Sequence, residues 1–343
     1  MRKRKSYNSR PNHNISCIQD LCTGRVHAAI RERGFSLTLL LLVGWVIFLL
    51  LLIYPADVPA QMAGGSETAE NVKFSFDAAP LHQFKSHMHG GGDVAITRYS
   101  FATNASVPLN KKVKLGFGLM YEFEDYNFSR PTGFVGPDPW NKIHRVGLGG
   151  QLAYRAGENW SLFVAPAAQY AGEQGADFDK SLMYGGTIGA TYMASRNLVI
   201  GIGAGIFYRL EETAVFPTLI VSWKITDRLH LRNTFRTSPA GPAGLELGYI
   251  LDKNWELSVG GGYRSFRFRL DKNGPLPNGI GQSNMVPVYA CLTRNIGKNF
   301  NIDLYGGAAF SGKLRLEDRN GHRIDSVKYN TAPLAGFTLS ALF

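Results

Sequence analysis

The sequence predicts an all-β protein: a transmembrane antiparallel β-barrel of about fourteen strands in an up-and-down meander, with twelve strands as the alternative. Three observations predict this fold class. Short polar turns alternate with longer connections, apolar residues alternate with small or polar ones, and a charge-free apolar run precedes them. Glycine supplies 39 of 343 residues, above the usual ~7%, and together with 21 Phe and 15 Tyr this argues against a helical bundle.

Residues 1–60 have the layout of a secretory signal peptide with a long basic first part. The stretch from Phe35 to Tyr54 carries no charge, and small residues follow it, so we expect cleavage near Ala60. An apolar run of this length can also span a bilayer as a helix, which makes an uncleaved anchor the alternative. A misplaced start codon would explain the long basic part. A short polar segment, 61–71, then leads to the barrel at 72–343.

Charge and cysteine content exclude two classes of protein. Residues after 60 include 29 Lys and Arg against 23 Asp and Glu, spread along the chain. This pattern lacks the basic patch of a nucleic-acid-binding protein, so we expect no nucleic acid partner. Cys291 is the single cysteine after residue 60, which rules out an intrachain disulfide there.

Two kinds of connection divide the chain into strands. Short turns of Asn, Asp and Gly between apolar runs are typical of hairpins. They fall at 109–113, 157–160, 195–198, 226–229, 252–255 and 297–300. Longer connections fall between them, at 85–92, 128–140, 173–180, 212–213, 238–242, 271–284 and 319–324. Short connections at one end and longer ones at the other are typical of membrane barrels.

Fourteen strands result, and their even number places both ends of the barrel region on the short-turn side. The predicted strands are 72–84, 93–109, 112–127, 141–156, 159–172, 181–195, 198–211, 214–225, 228–237, 243–251, 255–270, 285–296, 300–318 and 325–343. Successive side chains of a strand point to opposite faces, so alternation gives one apolar face and one small or polar face. A soluble β-sandwich would show the same alternation.

Aromatic residues and prolines refine this prediction. Trp160, Trp255 and Phe300 each open a strand after a short turn, as the aromatic girdle of a membrane barrel requires. Ordinary strand aromatics in a core are the alternative. Proline cannot donate to the strand ladder, so each proline inside a predicted strand needs a bulge or a strand end. These prolines are Pro166, Pro217 and Pro287.

The last strand carries Phe337, Leu339, Ala341 and Phe343 in phase on one face. Together with the leader, this strand resembles the C-terminal signal of the bacterial outer-membrane β-barrel superfamily, which includes uncharacterised families. The resemblance implies a Gram-negative cell and a multi-pass barrel in its outer membrane, in contact with outer-membrane lipids. It also implies that the barrel-assembly machinery reads these four residues as an assembly signal, and that periplasmic chaperones escort the chain.

Ten charged or titratable residues at predicted inward positions are candidates for the lumen lining. They are Lys114, Glu122, Glu124, Arg145, Arg155, Lys224, His230, Arg232, Arg236 and Asp303. Such residues either select a solute or form ion pairs that fill the interior. We therefore expect a passive, porin-like pore for small solutes or a structural barrel with surface-exposed loops. A third hypothesis is partner binding by the loops at 128–140 and 271–284.

The sequence predicts no cofactor, no metal site and no catalytic residue. His82, His87 and His89 precede a run of glycines, a flexible setting that suits metal coordination poorly. The alternative function is a barrel hydrolase that acts on lipid or peptide, with His144 or His322 near the loop bases. An enzyme needs a nucleophile and a base at a fixed spacing, and no such spacing is found, so we do not expect an enzyme.

Overall fold

Antiparallel β-strands form almost all the regular structure of the chain. The computed structural model describes residues 72–130, 134, 139–234, 237–241 and 244–343. The predicted signal peptide at 1–60 with its cleavage site, the polar segment 61–71 and Arg236 lie outside the described residues. Within the described ranges, no helix is long and apolar enough to cross a bilayer.

The strand segments are numbered β1 to β16 in chain order. The first eight are Lys73–His87, Asp93–Pro108, Val113–Ser129, Lys142–Arg155, Trp160–Glu173, Leu182–Ser195, Leu198–Arg209 and Thr213–Lys224. The second eight are Leu229–Asn233, Leu245–Ile250, Trp255–Gly261, Arg264–Arg269, Ile280–Ile296, Phe300–Glu317, Arg323–Lys328 and Ala332–Leu342. A 3-10 turn, Asp179–Ser181, precedes β6.

These segments make a closed antiparallel barrel of fourteen strands. β11 and β12 pair with consecutive stretches of β13, and β15 and β16 do the same with β14, so each pair is one interrupted strand. β1 pairs with both β2 and β16, which closes the barrel. The predicted fold class, the meander and the count of fourteen are confirmed, and the alternative of twelve is not.

Large apolar side chains cover the outer face, while the inner face is small or polar. In the middle of β6 and β7, Ile188 and Ile202 are 63% and 73% exposed. Their neighbours Gly201 and Gly203 point inward and leave room in the lumen. The alternation predicted from the sequence is therefore the division between the outer wall and the interior.

Aromatic rings lie on the outer face at the short-turn end. Trp160 and Phe300 are each 50% exposed, and Trp255 stacks under the Arg294 guanidinium at 4.6 Å. Phe337 and Leu339 of β16 also face outward, at 39% and 44% exposure. In the same row, the Phe343 ring packs edge-on against Phe300, and its backbone exchanges two hydrogen bonds with Phe74. The four residues of the predicted assembly signal thus belong to the seam that closes the barrel.

Two predicted strands, 228–237 and 243–251, are longer than the observed β9 and β10. The difference arises because the connection between β9 and β10 bends into the barrel. In that connection the Thr234 hydroxyl donates to the Gly241 carbonyl. Tyr305 and Thr338, on β14 and β16, donate their hydroxyl protons to the Thr237 carbonyl. Polar partners inside the barrel therefore hold this segment away from the wall.

Two more strands differ from the prediction at their long-loop ends. The predicted strand 255–270 is interrupted between β11 and β12, and 325–343 is interrupted between β15 and β16. The predicted loop 271–284 is partly strand, since β13 begins at Ile280 and pairs there with β12. Register shifts near Asn284 and Leu316 show where the extended ladder bends.

One side of β8 is unpaired in the part of the strand that is nearest the long loops. β9 pairs only with Ser222 to Lys224, and the Val221 amide donates to the Asn233 side chain at 2.7 Å, which ends the ladder. Among the described residues no strand pairs with this side of β8 from Thr213 to Ile220. Pro217 and Val221 are an even number of positions apart in β8, so their backbone nitrogens point to the same side of the strand. The Pro217 nitrogen, which carries no hydrogen, therefore faces the unpaired side.

The other two prolines also lie at interruptions of the ladder. Pro166 falls where the β4–β5 pairing skips two positions, between the pairs that end at Ala167 and Val164. Pro287 lies beside the break between β11 and β12, next to a register shift in the β13–β14 pairing. Pro287 lies next to a register shift, as expected, whereas Pro166 and Pro217 lie within β5 and β8 without a bulge, at positions where pairing on one side is missing.

A charge placed on the outward face should lower the free energy of unfolding more than a charge placed on the inward face. We expect Ile188→Arg to lower the free energy of unfolding in lipid by about 2–4 kcal/mol, because it places a guanidinium against hydrocarbon at mid-strand. Thr187→Arg is the matched control, since the side chain at 187 points into the lumen. Urea titration of protein folded into vesicles measures both. Equal losses would contradict the assignment of the two faces.

Candidate functional site

A cavity of about 690 Å³ opens into the barrel from its short-turn end. We call it the vestibule. It lies along the inward faces of β1 to β5 and is lined by Lys73, Ser75, Asn104, Lys114, Gly149 and Gln151, among others. Glycines at inward positions of β3 and β4 leave space where side chains would otherwise meet. The vestibule is therefore open to solvent, lined by both polar and apolar groups, and wide enough for a small solute.

A buried cluster of charges closes the vestibule on its inner side. We call it the Glu122 cluster; it consists of Arg98, Glu122, Glu124, Arg145 and Arg264. The Arg264 Nη2 lies 2.6 Å from Glu122 Oε1, and Arg98 Nε lies 2.7 Å from Glu124 Oε1. Arg145 Nη1 lies 3.3 Å from Glu122 Oε1. Opposite charges taken out of water need such close partners, so these contacts hold the cluster in one arrangement.

Strand register explains four of the five positions. Arg98 on β2 lies opposite Glu124 on β3, and Glu122 lies opposite Arg145 on β4, so adjacent strands bring these charges together. Arg264 opens β12 and comes from far along the chain. It reaches the cluster because β12 bends across the interior instead of staying in the wall.

The inward course of β12 is visible in its burial. In a barrel wall one face of a strand meets lipid, yet Phe266, Arg267, Phe268 and Arg269 are each at most 2% exposed. The tip of β12 forms a parallel bridge with β5, between Arg269 and Gly172. β12 is thus surrounded by protein on both faces.

Two arginines of β12 hold its outer half in place. Arg267 binds Glu317 through two contacts, at 3.2 and 2.8 Å, and also donates to the Leu210 carbonyl at 2.9 Å. Arg269 Nη2 donates to Glu211 at 2.8 Å, and its other nitrogens donate to the carbonyls of Lys180, Asn278 and Arg319. Arg269 thereby ties β12 to three connections at the long-loop end.

The β7–β8 turn is strained where it meets these arginines. Leu210 and Glu211 have φ angles of 53° and 67°, a left-handed region that costs a non-glycine residue of the order of 1–3 kcal/mol. The Leu210 side chain is 1% exposed. Its burial and the contacts with Arg267 and Arg269 offset the strain. The turn is therefore held against β12 by tertiary contacts and not by its own sequence.

Aromatic side chains fill the space beside β12 at the long-loop end. The Trp140 ring makes edge contacts with Phe134 at 5.5 Å and with Phe268 at 5.2 Å, and Tyr126 packs against both Trp140 and Phe268. Gly281 lies directly under the Phe268 ring, where a Cβ would collide with it. This packing leaves no room for a longer side chain there.

We call the following set the interior plug: β12, the Glu122 cluster, residues 237–241, and the buried side chains of Phe134, Trp140 and Leu210. In the part of the barrel that the structure describes, the interior plug fills the long-loop half of the lumen. The vestibule lies at the other end, against β1 to β5. Among the described residues, the interior is thus open on that side at the short-turn end and filled at the long-loop end.

Contacts between loops outside the barrel wall also hold the long-loop end together. The Asp177 carboxyl accepts hydrogen bonds from Lys180 and contacts Lys272, and these ammonium groups lower its pKa below the usual range. The link joins the connection before β6 to the one after β12. Near neutral pH both partners are charged, so the two connections are held together at the surface.

The predicted lumen residues that the structure describes fall into four groups. Lys114 lines the vestibule, while Glu122, Glu124 and Arg145 belong to the Glu122 cluster. Arg155 and Lys224 are exposed at the short-turn end, with Lys224 paired to Asp227. His230, Arg232 and Asp303 form side-chain contacts elsewhere in the wall, with Glu256, Glu246 and Thr293 as partners. Arg236 lies outside the described residues.

Sequence reasoning missed the arginines of β12 and their partner Glu317. The signal was present in the run Arg264-Ser-Phe-Arg-Phe-Arg269, in which Phe alternates with Arg. A wall strand at this depth places apolar residues outward and small or neutral residues inward, whereas this run is bulky on both faces. Such a pattern indicates a strand that is enclosed by protein on both sides.

The histidines considered for catalysis or metal binding are separated. His144 Nδ1 lies 3.0 Å from the Tyr121 hydroxyl on the outer face, and His322 Nδ1 lies 3.2 Å from Asp318 in an exposed turn. His82 contacts Thr97, and His89 contacts Asn330. Among the described residues, no group of three His, Cys, Asp or Glu side chains could hold a metal ion.

Comparison with known proteins gives a family and several similar barrels. Residues 140–340, more than half of the chain, match the family described as Domain of unknown function (DUF6268). No curated protein matches the chain. The structure is similar to the COG4313 outer membrane channel from Pseudomonas putida F1, with 9% identity, a TM-score of 0.45, and coverage of 85% of this chain and 100% of that chain.

Two other solved barrels are similar at comparable levels. One is a Pseudomonas aeruginosa FadL homologue, with 14% identity, a TM-score of 0.41, and coverage of 79% of this chain and 89% of that chain. The other is the Pseudomonas putida toluene transporter TodX, with 12% identity, a TM-score of 0.38, and coverage of 80% and 90%.

The Glu122 cluster predicts a charge-balance effect on stability. Glu122→Gln leaves three guanidiniums facing one carboxylate, and we expect it to lower the free energy of unfolding by about 3–5 kcal/mol. Adding Arg264→Gln restores the original excess of one positive charge, so the double variant should be more stable than Glu122→Gln alone. Urea unfolding in vesicles measures both variants. Strictly additive losses would contradict coupling through the cluster.

Proposed function

We propose that this chain, which belongs to the DUF6268 family, is a gated outer-membrane channel for small polar solutes. In this proposal the interior plug is the gate, and the vestibule is the entrance that stays open. The channel admits solutes when the outer half of β12 leaves the lumen. The structure then corresponds to the closed state.

One observation carries this proposal: the described interior has an open cavity at the short-turn end and, at the long-loop end, a region filled by buried ion pairs and packed aromatic side chains. A barrel that served only as a scaffold has no need of a cavity of 690 Å³ below such a region. The contacts that hold the outer half of β12 to the turns are charged and polar, so water can take their place when β12 moves.

The orientation follows from the connections. We place the short turns and the vestibule in the periplasm and the long-loop end at the cell surface, as in single-chain bacterial barrels. The chain reaches this site through the proposed signal peptide at 1–60, cleaved near Ala60. The last strand, from Phe337 to Phe343, is the proposed assembly signal read by the barrel-assembly machinery, with periplasmic chaperones as escorts. Outer-membrane lipids contact the apolar outer face.

The geometry favours a channel over the alternative hydrolase. Hydrolysis by a barrel needs a nucleophile, a base and an orienting group in contact. His144 faces outward and is hydrogen-bonded to Tyr121, and His322 lies in a surface turn beside Asp318. Neither is hydrogen-bonded to a serine or cysteine among the described residues. Loss of lipid or peptide turnover in His144→Ala or His322→Ala would support the enzyme instead.

Arg269→Gln tests the gate. The substitution removes the guanidinium that joins β12 to Glu211 and to three carbonyls, so we expect a higher open probability in planar bilayers than for the unmodified protein. Arg323→Gln is the matched control, because Arg323 is exposed at the start of β15 and lies outside the interior plug.

Three results separate the possibilities. Conductance that rises in Arg269→Gln and stays unchanged in Arg323→Gln supports both the channel and the gate. Conductance that is equal in all three proteins rejects β12 as the gate. A folded protein that never conducts, even with Arg269→Gln, rejects the channel.

A further inference from the structure

We infer that the vestibule selects small anionic solutes, which carry a carboxylate or a phosphate group. This inference rests on the proposed channel and narrows its substrate class. It is carried by the charges that face the cavity and by the charges that close its inner end.

The lining of the vestibule is positive. Lys73 and Lys114 line it from β1 and β3, and both are exposed to solvent. The other polar groups there are neutral donors and acceptors, among them Asn104 and Gln151. Within the described residues, no aspartate or glutamate lines the cavity. A solute in the vestibule therefore meets ammonium and amide groups and no carboxylate.

The nearest carboxylate along β1 does not cancel this charge. Asp77 lies four residues beyond Lys73 on the same inward face, but it is only 6% exposed. It accepts a hydrogen bond from the Ser340 hydroxyl at 2.6 Å. Asp77 is thus engaged within the wall, while Lys73 and Lys114 face the water of the vestibule.

The inner end of the vestibule is also positive. The Glu122 cluster contains three guanidiniums and two carboxylates, which leaves an excess of one positive charge in a buried site. The Nε atoms of Arg145 and Arg264 are buried, and among the described residues they have no hydrogen-bond partner.

The two positive regions lie near each other along the wall. On β4, Gly149 lines the vestibule, Gly147 is the next inward residue, and Arg145 is the one after. Four residues of strand span about 13 Å. The Met120 side chain packs over Gly147 between the two regions, so the cluster acts on an anion in the vestibule through its charge and not through contact.

The expected size of the effect follows from Coulomb's law. A unit charge about 10 Å from an ion in water changes the local concentration of that ion roughly two-fold, so two lysines enrich an anion roughly four-fold and deplete a cation by the same factor. Salt screens charges in the wide mouth, and the effect should weaken as ionic strength rises. Selection is thus a property of the entrance, separate from the opening of the gate.

The test measures reversal potential across a KCl gradient in planar bilayers, in the Arg269→Gln background, which we expect to stay open. We expect preference for chloride over potassium in Arg269→Gln. The preference for chloride over potassium should fall by roughly four-fold with either Lys73→Gln or Lys114→Gln, and reverse towards potassium with Lys73→Glu and Lys114→Glu together. Lys111→Gln is the matched control, because Lys111 lies in the adjoining turn, exposed but outside the cavity lining.

The outcomes distinguish this inference from the proposed function. A folded protein without conductance rejects the channel itself. A conducting protein that prefers potassium, or whose preference is the same in the lysine variants as in Lys111→Gln, keeps the channel and overturns the anion selection. Replacing chloride by acetate or by phosphate then tests the solute class: a current carried by chloride alone also overturns the inference.

Discussion

The absence of water in the hydrocarbon core of a membrane governs this structure. Backbone N–H and C=O groups that face lipid must pair with one another, and only a closed ladder of strands achieves this along a whole sheet. β1 closes the ladder against β16, and the last residue, Phe343, pairs with Phe74. Once the ladder is closed, the alternation along each strand decides what faces lipid and what faces the lumen.

A second constraint acts on the inside. Charges that leave water need partners, and a barrel interior too wide for single side chains cannot supply them from the wall alone. Here β12 and the segment 237–241 leave the wall and bring those partners inward. Arg264 completes a cluster begun by residues on β2, β3 and β4, and Arg267 meets Glu317 from β14. The same movement that satisfies these charges fills half of the lumen.

Much of the wall could be predicted from the sequence, because its signals are local. Alternation, short turns and aromatic strand starts each depend on a few neighbouring residues, and they predicted fourteen strands, the meander and the inward face of Glu122, Glu124 and Arg145. The interior plug depends on contacts between distant residues. Nothing local indicates that Glu122 meets Arg264, and a two-residue period predicts which face a residue occupies but not whether its strand stays in the wall. The run from Arg264 to Arg269, bulky on both faces, was the available clue.

The unpaired side of β8 has a mechanical consequence. Hydrogen bonds fix the circumference of the barrel at the end with short turns, where every strand has two neighbours. At the other end, the side of β8 from Thr213 to Ile220 has no strand partner among the described residues. No ladder of hydrogen bonds therefore fixes the circumference beside β8 there. β8 can move outward there without breaking a hydrogen bond of a strand ladder on this side, provided that Glu211, Glu212 and the Leu210 carbonyl release the arginines of β12. The barrel is in this sense rigid at the short-turn end and able to widen beside β8 at the long-loop end.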